Sequence, residues 1–148
     1  MKRMYPDQPI VGVGIVIVHD RKIALIKRSN EPSKGKWTIP GGLVELGESV
    51  ETAVIREAKE ETCLDVEDPQ LIDVVGNVDR DQEDKIKYHY VIIDYLVHVQ
   101  KGNIQAASDA KELRWVPFDE VEGYNLTASF RFFFRQNREK LENANSYH

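Results

Sequence analysis

Residues Gly42 to Leu64 read GLVELGESVETAVIREAKEETCL, and the organisation of the chain follows from them. Ser49 is a good N-cap and Glu51 in the first turn complements the helix dipole, so the spacing predicts a helix over Ser49 to Thr62. Val50, Ala53, Val54 and Ala58 give that helix one apolar stripe. Glu45, Glu48, Glu51, Glu57, Glu60 and Glu61 face only Arg56 and Lys59, a local net charge of −4.

Positions 57, 60 and 61 are related as i, i+3 and i+4, so their carboxylates share one helical face. Like charges there repel, and burying them unpaired costs far more. A hard divalent cation removes the conflict. Mg²⁺ prefers carboxylate oxygens and bridges to phosphates, and a set without Cys or His argues against zinc. A bare Glu-x-x-Glu-Glu is more often a solvated face. Here the surroundings weigh against that reading: a Gly-Gly turn lies upstream, Glu48 sits at the helix mouth, and Arg56 stands about two turns on, within ion-pair reach.

Working outward, residues 9–18 read as a buried strand and Lys22 to Lys27 as a second, joined by a hairpin over 19–22. Ser29 to Lys36 is a loop. Trp37-Thr38-Ile39 is a short extended piece, after which Pro40 and Gly41-Gly42 break the chain. Leu71 to Val75 reads as a strand and the charged stretch Asp79 to Lys87 as a long hairpin loop. Tyr88 to Val99, apolar on both alternating faces, is expected to be a central strand. Glu112 to Val116 gives a short strand, and a C-terminal helix is expected over about 127–143. The order predicts α+β architecture: a mixed β-sheet sandwiched between α-helices, α/β/α, in a single domain over 1–148.

Composition narrows the function classes. The 148 residues carry a net charge of −5, a poor balance for sequence-independent nucleic-acid binding. A single cysteine, Cys63, fits a reducing compartment. The apolar run Val11 to Val18 is far short of the ~20 residues that cross a bilayer. It follows Lys2 and Arg3 but is rich in glycine and β-branched residues and lacks a cleavage pattern, so it reads as a strand rather than a signal. A cytoplasmic protein with no membrane or nucleic-acid partner is expected.

The segment resembles the Nudix hydrolase family, whose box runs Gly, five residues, Glu, seven residues, Arg-Glu, an apolar residue, any residue, Glu-Glu, any residue, Gly, apolar. The matches are Gly42, Glu48, Arg56, Glu57, Ala58, Glu60, Glu61 and Leu64, with Trp37-Thr38-Ile39-Pro40-Gly41-Gly42 similar to the usual lead-in. The likeness extends over about Ile10 to Val121. Cys63 departs from it, standing where the box has its last glycine. If that position is left-handed, its β-carbon costs roughly 1–2 kcal/mol.

The resemblance implies hydrolysis of the pyrophosphate in a nucleoside diphosphate linked to another moiety. It implies Glu57 and Glu61 as the main Mg²⁺ ligands, Mn²⁺ being a possible substitute, with Glu60 and the Gly41 carbonyl assisting. Glu48 and Arg56 would brace loop against helix. Asp109 is the first choice for general base, Glu112 the second, and Glu83 or Asp84 follow. Asp79-Arg80-Asp81, Tyr88-His89-Tyr90 and Ser108-Asp109-Ala110 look most like the small ADP-ribose pyrophosphatase group. The alternatives are a MutT-like nucleoside triphosphate pyrophosphohydrolase and a non-catalytic nucleotide-binding module.

Other residues favour structural roles. Trp37 and Trp115 are expected to pack, and His89 and His98 lack partners at metal spacing. Arg28, Lys34, Lys36 and Arg80 are loop cations for which solvation is the expectation. Asp94 shares a strand face with Tyr90, Ile92 and Leu96, and a structural partner is expected for its carboxylate. The aromatic run near 130–134 is open between core and a homodimer face. Its three consecutive rings cannot all point one way on a helix.

Overall fold

The structure is a computed structural model and describes residues 2–100 and 112–145. Strands β1 (Ile10–His19) and β2 (Lys22–Lys27) form a hairpin, followed by β3 (Trp37–Thr38), β4 (Gly41–Leu43) and helix α1 (Val50–Thr62). Then come β5 (Val66–Arg80), β6 (Ile86–Val99), β7 (Leu113–Pro117), a 3₁₀ turn over Phe118–Gly123, and helix α2 (Ala128–Asn145). Strand order is β3-β2-β1-β6-β5, with β4 added beside β1 and β7 beside β2. The β1–β6 pairing is parallel, running from Ile10↔Tyr90 to Ile17↔Val97, and the other pairings are antiparallel, so the sheet is mixed.

Both faces of the sheet are covered, which is why β1 is apolar almost throughout. On one face Val13, Ile15 and Ile17 pack with Ala53, Val54 and Ala58 of α1. On the other, Val16, Val18 and Leu96 pack with Phe130, Phe133 and Phe134 of α2. The expected α/β/α layering is present. Phe133 and Phe134 are fully buried whereas Phe132 is 56% exposed, as three successive helical positions require. Thr127 caps α2, its hydroxyl accepting from the Phe130 N–H at 3.2 Å.

Three sequence expectations need correction. Gly41-Gly42 do not break the chain but form β4, in register Gly14↔Gly41 and Val13↔Gly42. The pairing is tertiary, so propensity alone reads the dipeptide as a turn. The strand expected over Leu71 to Val75 spans Val66 to Arg80. It is an edge strand with register shifts at Glu67/Gln70 and Leu71/Asp73, and both blur its alternation. Nor is Asp79 to Lys87 a long loop. Asp79 and Arg80 complete β5, Ile86 and Lys87 begin β6, and a tight turn joins them. Asp81 closes that turn: its N–H reaches the Lys85 carbonyl at 2.9 Å and its Oδ1 accepts from the Glu83 and Lys85 N–H groups. Charged side chains at a solvated sheet edge do not oppose strand pairing.

Among the described residues, no helix is long and apolar enough to cross a membrane.

Candidate functional site

Helix α1 starts where its sequence says. The Ser49 hydroxyl accepts from the Thr52 N–H at 3.1 Å. It ends at Cys63, whose φ of 63° and ψ of 9° are left-handed and whose N–H reaches the Lys59 carbonyl at 3.0 Å. The residue that departs from the Nudix box therefore occupies the strained conformation that glycine would adopt freely.

From this helix Arg56 reaches back to the preceding loop. Its Nε donates to Glu48 Oε2 at 2.7 Å and its Nη2 to Glu48 Oε1 at 2.9 Å, a two-pronged grip. Nη2 also donates to the Leu43 carbonyl at 3.0 Å. Nη1 donates to Glu57 Oε1 at 2.7 Å and to Glu60 Oε2 at 3.2 Å. The Arg56 contact, then the Glu45 N–H, holds the Glu48 carboxyl down at about 2. One guanidinium thus ties strand β4, the loop and two helical carboxylates together.

The Glu57 side chain is 12% exposed and lies over Gly42, where a β-carbon would overlap its carboxylate. Burial pushes Glu57 up, opposed by Arg56 and reinforced by repulsion from Glu60 and Glu48. Burial also pushes Glu61 up, and Glu57 adds to the shift while Arg28 offsets part of it. Glu60 is more open, its side chain 58% exposed. Gly41, Gly42, Glu57, Glu60 and Glu61 line one end of a cavity of about 520 Å³, a size that accommodates a small-molecule ligand. Among the described residues, no three acidic, His or Cys side chains already converge on one point. The donor set nevertheless suits a hard divalent cation: oxygen ligands only, partly buried, mutually repelling, with glycine leaving room beside Glu57.

The cavity continues past β4 and β1 onto the α2 side of the sheet. Arg28 lines it, with its Nε donating to the Pro32 carbonyl at 2.7 Å. At the far end stand Tyr90, Asp94 and Asn77. Asp94 is 3% exposed, and no described residue hydrogen-bonds it. The structural partner expected for it is thus not found; β5 places Asp73 directly opposite instead. Burial, with that charge facing it, pushes the Asp94 carboxyl up to about 7.

Residues 8–136 match the family model for the NUDIX domain. The chain belongs to the Nudix family. It is 45% identical over 113 residues to an ADP-ribose pyrophosphatase of Methanocaldococcus jannaschii, a match covering 76% of this chain and 64% of the relative. The chain thus spans a little under two thirds of that relative's length. The crystal structure of a MutT NUDIX hydrolase from Burkholderia pseudomallei superposes with a TM-score of 0.71 at 34% identity, covering 88% of this chain and 98% of that one. The NUDIX domain of Shewanella oneidensis NrtR, solved in complex with ADP ribose, also superposes with a TM-score of 0.71. It is 28% identical and the match covers 92% and 90% of the two chains.

Within this Nudix fold the sequence-expected residues divide. Glu48, Arg56, Glu57, Glu60, Glu61 and Gly41 are assembled at one end of the cavity or brace it. Asp109 lies outside the described residues. Glu112 is exposed and does not line the cavity. Glu83 and Asp84 sit in the β5–β6 turn, beside a separate depression formed with Tyr5 and Arg80. Trp37 packs edge-on against Tyr124 with rings 5.4 Å apart, and half-buried Trp115 packs against His19. Sequence reasoning assigned Tyr90 no site role of its own, although it marks the Tyr88-His89-Tyr90 likeness and shares the β6 alternation with Asp94. Asn77, the register partner of Tyr90 on β5, is located by the strand pairing alone.

Proposed function

We propose that this Nudix chain hydrolyses the pyrophosphate of a nucleoside diphosphate linked to another moiety, with ADP-ribose or a related nucleotide sugar as substrate and Mg²⁺ as cofactor. The observation that carries the reading is the Glu48–Arg56–Glu57 chain of hydrogen bonds at the acidic end of a nucleotide-sized cavity. The similarity to an ADP-ribose pyrophosphatase and to a NUDIX domain that holds ADP ribose supports this substrate class.

In this reading Glu57, Glu61, Glu60 and the Gly41 carbonyl hold the metal ion. When bound, Mg²⁺ neutralises phosphate charge and acidifies a water. Arg56, anchored on Glu48, keeps the Glu57 carboxylate aimed at the site and balances part of its charge. Arg28, beside Glu61, faces the incoming phosphates. Asp109 is the residue proposed to take the proton from the attacking water.

The test is a nucleotide panel at millimolar Mg²⁺ and again with Mn²⁺, scoring nucleoside monophosphate and inorganic pyrophosphate separately, with Glu57→Gln as control. AMP from ADP-ribose without free pyrophosphate is expected. Pyrophosphate released from triphosphates would move the assignment to a MutT-like activity. Absence of any product would leave a nucleotide-binding module.

A further inference from the structure

The far end of the cavity carries two buried polar groups that the proposed hydrolysis does not use. The Tyr90 hydroxyl is fully enclosed and, among the described residues, has no hydrogen-bond partner. Asp94, four residues on along β6 and on the same face, is also without one. Buried polar groups are almost always satisfied, so the orphaned Tyr90 hydroxyl, lining the same cavity as the Asp94 carboxylate, points to a ligand that satisfies it.

The sheet keeps this end open by design. Gly41, Gly14, Asp94 and Asp73 form one row across β4, β1, β6 and β5. The Asp94 carboxylate leans over Gly14, where a β-carbon would overlap both it and Ile39. Two strand spacings separate Asp94 from Gly41, roughly 10 Å, a reach on the scale of one nucleotide. Ile39, Val75 and Phe130 line the same end, giving apolar contact for a flat ring beside the polar atoms.

We propose that Asp94 and Tyr90 read the base of the substrate, Asp94 engaging the amidine edge of adenine, in which a ring-nitrogen acceptor lies beside an exocyclic amine donor. The proposal rests on the nucleotide substrate inferred above. A carboxyl group that keeps its proton offers O–H to the ring nitrogen and C=O to the amine. Burial, the facing Asp73 and the lack of a cationic partner among the described residues all favour that form. Asp73 is itself held by the Asn137 Nδ2 of α2 at 2.9 Å, so it stays opposite Asp94. An ionised Asp94 would instead suit the two adjacent donors of guanine. Tyr90 supplies a further hydrogen bond from the same face.

The test is binding, at pH 6, of AMP and of purine riboside monophosphate to the full chain by titration calorimetry, alongside hydrolysis of ADP-ribose. Unsubstituted purine keeps the ring-nitrogen acceptor but lacks the exocyclic amine, so it can make only one of the two hydrogen bonds, whereas a neutral carboxyl can turn to match hypoxanthine as well as adenine. The wild type is expected to prefer AMP by tenfold or more in Kd, the discrimination a bidentate base contact gives. Asp94→Asn, whose amide presents the same donor–acceptor pair, should keep the preference. Asp94→Leu should erase it, and Tyr90→Phe should weaken AMP severalfold. Wild-type protein that binds both alike, or an Asp94→Leu variant that still prefers AMP, overturns the proposal. So does Asp94→Asn behaving like Asp94→Leu. Base discrimination without any hydrolysis would sink the catalytic reading alone; hydrolysis without base discrimination would sink this one alone.

Discussion

Arg56 holds Glu48 with both Nε and Nη2, at 2.7 and 2.9 Å, and passes the constraint to Glu57 through Nη1 at 2.7 Å. A lysine has one ammonium and cannot make the fork. Arg56→Lys should therefore lower kcat by about 10–100-fold, the usual effect of losing a partner that orients a metal-binding carboxylate. Circular dichroism should remain native. Unchanged kcat would mean that the brace does not orient Glu57.

The same pair predicts an acid response. The Glu48 carboxyl is lowered from its ordinary value to about 2 by Arg56 and the Glu45 N–H. A group depressed in the folded state stabilises the fold above its unfolded pKa, and that contribution is lost as pH falls through the folded value. The stability gap between wild type and Glu48→Gln should be full at pH 6 and shrink from about pH 4.5 towards pH 2. Chemical denaturation across that range checks it; a constant gap would contradict the ion pair.

Glu57 lies over Gly42, with no room for a β-carbon between them. Gly42→Ala should push the Glu57 carboxylate off its Arg56 contact and reduce activity about as far as Glu57→Gln does, while the fold persists. The side chain that must move is a flexible one, so the damage is local. The melting temperatures and kcat of the two variants, measured together, decide this. A large loss of melting temperature in Gly42→Ala would show that the β4–β1 pairing has failed instead.

At the end of α1, Cys63 is left-handed. Cys63→Gly removes a β-carbon cost of roughly 1–2 kcal/mol and adds roughly 0.5–1 kcal/mol of unfolded-chain freedom, for a net gain near 0.5–1 kcal/mol. Urea midpoints should rise slightly with unchanged kcat. A lower midpoint would mean that the half-buried thiol packs more strongly than the backbone strain costs.

Asp94 has the opposite pH sense from Glu48. Burial raises its carboxyl from 3.8 to about 7, so its protonated form favours the native state. That stabilisation is complete below the unfolded pKa and is lost as pH rises through the folded value. Wild-type stability should fall between about pH 4 and 7, by an amount on the order of 1–3 kcal/mol. Asp94→Asn should flatten the decline, giving a higher melting temperature than wild type at pH 8 but not at pH 4. Parallel pH profiles for the two proteins would rule it out.

The readable parts were those written in local chemistry. Ser49 as cap, the α1 stripe, the clustering of Glu57, Glu60 and Glu61 and the Glu48–Arg56 pair follow from helical spacing, and the doubly apolar pattern of β1 and β6 follows from burial on both faces. Helical and strand periods are short-range, so a window of residues carries them. What lay beyond reach depends on which distant segments meet. Gly41-Gly42 is a strand only because β1 pairs with it, and β5 is long only because β6 does. Asp94 shows the division most clearly. Its alternation on β6 marked it as buried, but the row through Gly14 and Gly41, the unpartnered Tyr90 and the facing Asp73 come from register and crossover. The sequence by itself determined the acidic helix and the layers that carry it. Only the tertiary structure decided that this helix opens into a cavity reaching the far face of the sheet, because close approach of backbones across strands is not encoded in any single segment.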